Sequence, residues 1–197
     1  MACARSPATS RPPQSRGGLI FIQVPHAHIP HPDHLITAAI GLGSNLGDRR
    51  ATLEAGLAAI AKLPGTRILR VSSFIETEPV GSIPQPRYLN GAAVINTSLP
   101  PRHLLHQLLA IERSLGRDRT KEQRWGPRTL DLDLLLYGDL ILNEPGLTIP
   151  HPRLHERSFV LLPLVTIAPE VRVPTLNATI RQLADRSGTP TLPAGPN

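Results

Sequence analysis

One cysteine, few aromatics and no long apolar run define what this chain lacks. The lone Cys3 excludes a disulfide framework and a thiolate-rich metal site, and it agrees with a reducing compartment. One Trp, two Tyr and three Phe make the chain only 3% aromatic, too sparse for a surface that stacks single-stranded nucleic acid on rings. No apolar stretch approaches the roughly 20 residues needed to span a bilayer as a helix. Acidic side chains are missing from the first 32 residues, which carry Arg5, Arg11 and Arg16. Phosphate-binding glycine motifs are absent too. Gly41-Leu-Gly43 is followed by Gly47, one residue late for G-x-G-x-x-G, and no G-x-x-x-x-G-K-[ST] occurs. Any nucleotide must therefore be held by side chains and metal rather than by a glycine cradle at a helix start. The segment reads as a tight strand-to-helix connection, with a backbone approach to a ligand at Gly43.

What is present is a chain of 197 residues, 40% hydrophobic, with a net charge of +6. That length suits one domain with a real core. The charge favours anionic partners: nucleic acid, an acidic membrane surface or phosphorylated small molecules. Residues 1–34 read as a disordered Pro/Arg/His-rich extension, since Pro7, Pro12, Pro13, Pro25, Pro30 and Pro32 prevent a continuous amphipathic helix. The acid-poor, Arg-bearing composition would also suit an organellar transit peptide. His26, His28, His31 and His34 are read as a linker, not a metal site, because prolines interleave them. Residues 187–197 read as a second disordered tail, leaving 35–186 as the domain.

Within that domain, Ile36 to Leu42 reads as a strand and Asp48 to Leu63 as a helix, capped by Asp48 and striped by Leu53, Leu57 and Ile60. Arg67 to Glu76 and Tyr88 to Leu99 are β-rich. Pro101 opens a helix to Leu115 with Leu104, Leu105, Leu108, Leu109 and Ile111 inward, and Gly116 stops it. Thr129 to Tyr137 is the next strand, Leu147 to Ile149 a short one, and helices follow at Arg153 to Leu164 and Leu176 to Asp185. The order strand, helix, strand, strand, helix, strand predicts an α+β fold with a ferredoxin-like split βαβ core, antiparallel pairing and helices on one face.

Arg124-Trp-Gly-Pro-Arg-Thr-Leu-Asp-Leu-Asp133 is the most informative stretch. On a strand, Asp131 and Asp133 project from one face, while Leu130, Leu132 and Leu134 take the other. Asp-x-Asp also occurs on solvated edge strands, but the run Leu134 to Leu136 says that this strand enters a core on both faces. Two adjacent carboxylates need a shared proton or hard cations between them. With Arg117, Arg119, Lys121, Arg124 and Arg128 just before, magnesium carrying a polyphosphate is the reading adopted.

From about Ala38 to Glu170 the chain resembles the 6-hydroxymethyl-7,8-dihydropterin pyrophosphokinase family of folate biosynthesis. The resemblance rests on residues 124 to 135, on Gly-Ser-Asn-Leu-Gly at 43 to 47, on Tyr-Leu-Asn at 88 to 90 and on Ile-Pro-His-Pro-Arg at 149 to 153. It implies diphosphate transfer from ATP to the pterin hydroxymethyl oxygen with release of AMP. By position it implies that Asp131 and Asp133 hold two Mg2+ ions and that Arg117 and Arg128 contact the phosphates during transfer. Leu105, Glu112, Arg119, Arg124, Trp125, Leu134, Thr148, His151 and Arg157 would be further ATP contacts, Glu112 through a ribose hydroxyl. Tyr88 and Phe159 would stack the pterin, Asn90 would read its polar edge, and Gly43, Thr77, Pro79, Val80 and Trp125 would complete its pocket. The chain departs from the family pattern at Leu109, Gly146 and Pro152, and its basic loop is one residue longer.

Two rivals come from other classes: a basic RNA-binding module with the same strand order, and an inactive nucleotide-binding relative. Acidic residues on the exposed strand face would repel an RNA backbone, and turnover separates the second. The partners expected are ATP and the pterin, without nucleic acid or membrane, for a monomer in the cytoplasm.

Overall fold

The computed structural model describes residues 35–120 and 126–187. The readings made for the 1–34 extension and its four histidines, for Arg124 and Trp125, and for the tail past 187 fall outside the described residues.

The chain builds its sheet around β1 (Ile36–Ser44), where small and β-branched residues alternate between two cores. Asp48 then caps α1 (Arg49–Ala61), its side chain accepting the Ala51 amide, which satisfies one of the orphan donors of a helix start. Gly65, at φ 57°, turns the chain into β2 (Thr66–Val71). A short break precedes β3 (Ile75–Thr77), and a proline-bearing loop leads to β4 (Tyr88–Thr97). Pro101 starts α2 (Pro101–Ser114), and Gly116 at φ 91° ends it, a backbone conformation that glycine adopts without penalty. Then come β5 (Asp131–Tyr137), the hairpin of β6 (Leu142–Glu144) and β7 (Leu147–Ile149), α3 (Ser158–Ile167) and α4 (Ile180–Arg186).

The main sheet runs β2-β4-β1-β5, with β3 also paired to β4, and every pairing is antiparallel. This is the expected split βαβ order. The helices, however, cover both faces. Leu53 and Ile60 of α1 and Leu104, Leu108 and Ile111 of α2 pack on one side with Ile40, Leu42, Ile95 and Leu132. Val160, Leu161 and Leu164 of α3 and Ile180, Leu183 and Ala184 of α4 pack on the other, with Ala39, Val94 and Leu135. The reading of helices on one face fails because Ala39, Ala92 and Val94 give the second face of the central strands an apolar surface that must also be covered.

The Leu134–Leu136 run has a specific cause. Ala39 pairs with Leu136 but Ile40 pairs with Leu134, so Leu135 is the extra residue of a bulge. Leu135 and Leu136 thus both enter the α3 core, whereas Leu134 and Tyr137 enter the α1–α2 core. A bulge re-aims side chains beyond it, and here it lets the aspartates and two leucines share one strand.

Several boundaries differ from expectation: β1 runs on to Ser44, and the Arg67 to Glu76 stretch breaks into β2 and β3. β5 begins at Asp131, not Thr129. The helix expected from Arg153 is a 3-10 turn, Leu154–Glu156, followed by an extended Arg157 at φ −108°, ψ 99°, and only then α3. The helix expected from Leu176 is delayed to Ile180, because Asn177 takes φ 46° and residues 178–179 pair with 172–173. Thr179 and Gln182 then form a capping box.

Candidate active site

The pocket floor is a row across three strands. In register, Asn90 of β4 faces Gly43 of β1, and Gly43 faces Asp131 of β5; two residues on, Gly41 faces Asp133. Gly41 and Gly43 contribute no side chain to this floor. A Cβ at Gly43 would lie 2.9 Å from Asn90 Oδ1 and 3.8 Å from the Asp131 Cβ. The two glycines therefore belong to β1 itself and clear a trough between an amide and two carboxylates, where the sequence suggested only a tight connection.

That trough opens into a pocket. One end is lined by Thr77, Val80, Tyr88, Asn90 and Phe159, and the other by Arg128, Asp131, Asp133 and Arg157. Asn90 donates to Thr77 Oγ1 at 2.7 Å, which fixes its amide. Tyr88 donates its hydroxyl to the Gly126 carbonyl at 3.1 Å. Phe159 lies in the first turn of α3, with the Arg157 guanidinium 5.7 Å from its ring centroid. A pocket end lined by two aromatic rings, Val80 and one fixed amide suits a small aromatic heterocycle.

At the acidic end, charges are packed closely. Arg117 Nη1 lies 2.7 Å from Glu112 Oε1, 3.1 Å from the Leu130 carbonyl and 2.5 Å from Asp131 Oδ1. Arg128 Nη1 reaches Asp131 Oδ2 at 2.8 Å, and Arg157 Nη1 reaches Asp133 Oδ2 at 3.1 Å. Burial pushes the Asp131 carboxyl up, but Arg128 and Arg117 outweigh it and hold the pKa below the usual range. Asp133 is moved the other way, by burial first and then by the Asp131 charge, against His151 and the arginines. Carboxylates pushed apart in this way cluster at functional sites.

Among the described residues no cluster of three or more His, Cys, Asp or Glu could hold a metal. The aspartate pair alone fits magnesium, which takes one or two protein carboxylates and fills its shell with water and phosphate. It does not fit a transition metal that needs a full protein cage. A second observation supports an anionic companion: Arg128 Nε is buried with no hydrogen-bond partner among the described residues.

The other residues expected at the site do not line the pocket. Glu112 is fully buried and accepts from Arg117, Arg119 and the Leu132 amide. With both oxygens so engaged it holds arginines, and in this conformation it is no open acceptor for a ribose. Burial raises its pKa despite the Leu132 N–H, Arg119 and Arg117. Arg119 stays half exposed. Leu134 is core and Leu105 packs against that core. Thr148 donates to Asn143 within the β6–β7 hairpin. His151 joins β5 through its amide, bonded to the Leu135 carbonyl at 2.9 Å, and burial lowers its pKa while Asp133 opposes. Pro79 sits between two pocket-lining residues, Glu78 and Val80.

The sequence reading missed Asn45, Glu78 and Gln85. Asn45 Oδ1 accepts the Arg128 amide at 2.7 Å, and its Nδ2 donates to Gln85 Oε1 at 3.0 Å and to the Pro86 carbonyl at 3.2 Å. One buried amide thereby ties the end of β1 to both loops that wall the pocket. Its place inside the Gly-Ser-Asn-Leu-Gly stretch was the available signal.

Residues 39–169 match the sequence model of the family described as 7,8-dihydro-6-hydroxymethylpterin-pyrophosphokinase. A Pseudomonas aeruginosa 2-amino-4-hydroxy-6-hydroxymethyldihydropteridine pyrophosphokinase is 47% identical over 135 residues, 68% of this chain and 82% of the relative. The enzyme of that name from Haemophilus influenzae is 45% identical over 154 residues, 77% of this chain and 95% of the relative. A crystal structure of Plasmodium falciparum HPPK-DHPS superposes with a TM-score of 0.63 at 17% identity over 78% of this chain. This chain spans 43% of that longer protein, so the likeness there concerns the fold.

Proposed function

This chain belongs to the 7,8-dihydro-6-hydroxymethylpterin-pyrophosphokinase family, and from that premise we propose how its residues share the reaction. The enzyme is an ATP-dependent pyrophosphokinase of folate biosynthesis, transferring diphosphate from ATP to 6-hydroxymethyl-7,8-dihydropterin. ATP is the donor, and magnesium is its usual companion in such enzymes. The hydroxymethyl oxygen forms a bond to the β-phosphorus, the bond from that phosphorus to the α,β-bridging oxygen breaks, and AMP leaves with the electron pair while the hydroxyl loses its proton.

We assign the pterin to the Tyr88–Asn90–Phe159 end of the pocket, with Thr77, Pro79, Val80 and Gly43 around it. The Asp131–Asp133 end is assigned to two magnesium ions and the triphosphate. When bound, the metal would neutralise phosphate charge and favour loss of the hydroxyl proton. The residues themselves do the alignment. Asp131 is held by Arg117 and Arg128; were its oxygens to hold a cation, Arg128 would be freed for phosphate oxygens, while Arg117 would stay anchored by Glu112 and could share its fork with the triphosphate. Planar forks suit that exchange better than ammonium groups. Arg119, Arg157, His151 and Thr148 are assigned to the nucleotide side. Residues 35–186 are taken as the whole catalytic unit, working as a cytoplasmic monomer without nucleic acid or membrane. No helix of the described residues is long and apolar enough to cross a membrane.

The observation that carries this reading is the single trough with an aromatic, amide-edged slot at one end and paired aspartates under arginines at the other. The test is AMP release from ATP and magnesium with and without the pterin. Pterin-dependent AMP is expected; ADP formation, or no product despite ATP binding, would overturn the assignment.

A further inference from the structure

The neck of the loop that walls the pocket is closed by charges that the mechanism leaves unused. β3 and β4 pair as far as Thr77 with Tyr88. The next pair outward is ionic, with Glu78 Oε1 at 2.7 Å from Arg87 Nη2 and 2.8 Å from Arg87 Nε. Behind it, Glu76 Oε2 lies 3.7 Å from Arg87 Nη1, and Glu76 Oε1 lies 2.7 Å from Arg49 Nη2. Arg49 Nη1 also donates to the Arg87 carbonyl at 2.9 Å. The ladder Arg49, Glu76, Arg87, Glu78 therefore alternates in sign and joins the first turn of α1 to both legs of loop 79–86.

That loop carries Val80 and Gln85 into the pocket wall. Its three prolines, Pro79, Pro84 and Pro86, stiffen the two legs next to the neck, so what holds the neck bears on both legs. We propose that the ladder is a salt-sensitive latch that sets how tightly loop 79–86 closes on the pterin, with Arg87 and Arg49 as positioning residues for pterin affinity. The inference rests on the assignment of this pocket to the pterin. The ladder side chains are 31–71% exposed, so each pair is weak and screened by salt. A weak latch suits a loop that must open to admit a ligand, since closing so short a loop costs little entropy.

The test is the Kd of 6-hydroxymethyl-7,8-dihydropterin with magnesium and a non-hydrolysable ATP analogue, at low and high salt. The wild-type affinity should fall by about threefold as salt rises, in line with loss of exposed pairs. Arg87→Gln should show the weaker affinity at low salt, with its salt dependence reduced, an unchanged kcat at saturating pterin and an unchanged KM for ATP. Arg87→Lys, which keeps the charge, should lie between the two. Wild-type affinity and salt response in Arg87→Gln would overturn the latch. So would a fall in kcat with pterin affinity intact. A Tyr88→Ala variant serves as the control for the pocket: unchanged pterin binding there would overturn the pocket assignment and the latch with it, whereas a loss there beside an unaltered Arg87→Gln overturns the latch alone.

Discussion

Glu112 and Leu132 are joined across 2.8 Å, a fully buried carboxylate on α2 accepting the amide of the strand residue between the two aspartates. The same oxygen accepts Arg117, and the other accepts Arg119. Glu112 therefore fixes the spacing of β5 and the aim of an arginine together. Removing one partner of a buried ion pair leaves an uncompensated charge, so Glu112→Ala should lose about 3–5 kcal/mol of stability. Glu112→Gln keeps an acceptor for the Leu132 amide and should lose less. Urea denaturation of the ligand-free variants checks both, and wild-type midpoints would contradict the role.

Asp131 and Asp133 should respond to neutralisation in opposite senses. Asp133, raised by burial and by Asp131, binds its proton more tightly folded than unfolded. Its favourable contribution is complete below the ordinary Asp value of about 3.9 and is lost as pH rises through its folded pKa. Asp133→Asn should therefore raise the Tm of the metal-free protein at neutral pH, by about 2–4 °C if the gain is about 1 kcal/mol, and the gain should vanish in acid. Asp131, held low by Arg128 and Arg117 against its burial, contributes stability above the unfolded pKa that is lost as pH falls through the folded one. Asp131→Asn should lower the Tm at neutral pH. Both variants should lose turnover. Thermal scans from acid to neutral pH decide the matter, and shifts of the same sign would refute it.

Arg117→Ala should cut kcat by about 10²–10³ with a smaller change in the pterin KM, the size seen when one preorganised charge donor is removed. Arg117→Lys should still fall short, since one ammonium could replace Nη1 at Glu112, the Leu130 carbonyl and Asp131 but leaves no second nitrogen for a phosphate oxygen. Steady-state rates of AMP formation measure both. A lysine variant with full activity would argue against the planar contact.

Gly43 of the trough and Gly91 of β4 should fail differently. Gly43→Ala places a Cβ 2.9 Å from Asn90 Oδ1, so it should raise the pterin KM by displacing Asn90 while the fold persists. Gly91→Ala meets the Phe74 ring at 2.7 Å and 3.0 Å, an overpacking that should cost about 1–3 kcal/mol. Parallel KM and denaturation measurements separate the two, and equal destabilisation would show that Gly43 is a packing residue as well.

Much of the fold was legible because its signals are local. Asp48 before an apolar stripe, Pro101 and Gly116 around another, and Asp131 and Asp133 at period two each declare an element without knowledge of the rest. The aspartates, Tyr88, Asn90, Phe159, Arg128 and Arg157 were all named from sequence and meet in one pocket. Arg157 was expected inside a helix, yet its extended backbone comes from the turn before α3, which no periodicity predicts. Asn45 was passed over because its partners, Arg128, Gln85 and Pro86, are distant in the chain.

The sequence by itself determined which residue types alternate, where helices start and stop, and that two carboxylates emerge from a buried strand beside arginines. Those properties depend on neighbours a few positions away. Only the tertiary structure decided that Gly43 stands between Asn90 and Asp131, that Glu112 is buried beneath Arg117, and that a bulge at Leu135 turns two leucines into the second core. Each depends on strand register and on what packs from the far end of the chain, and register is settled by the whole set of faces that must be buried together.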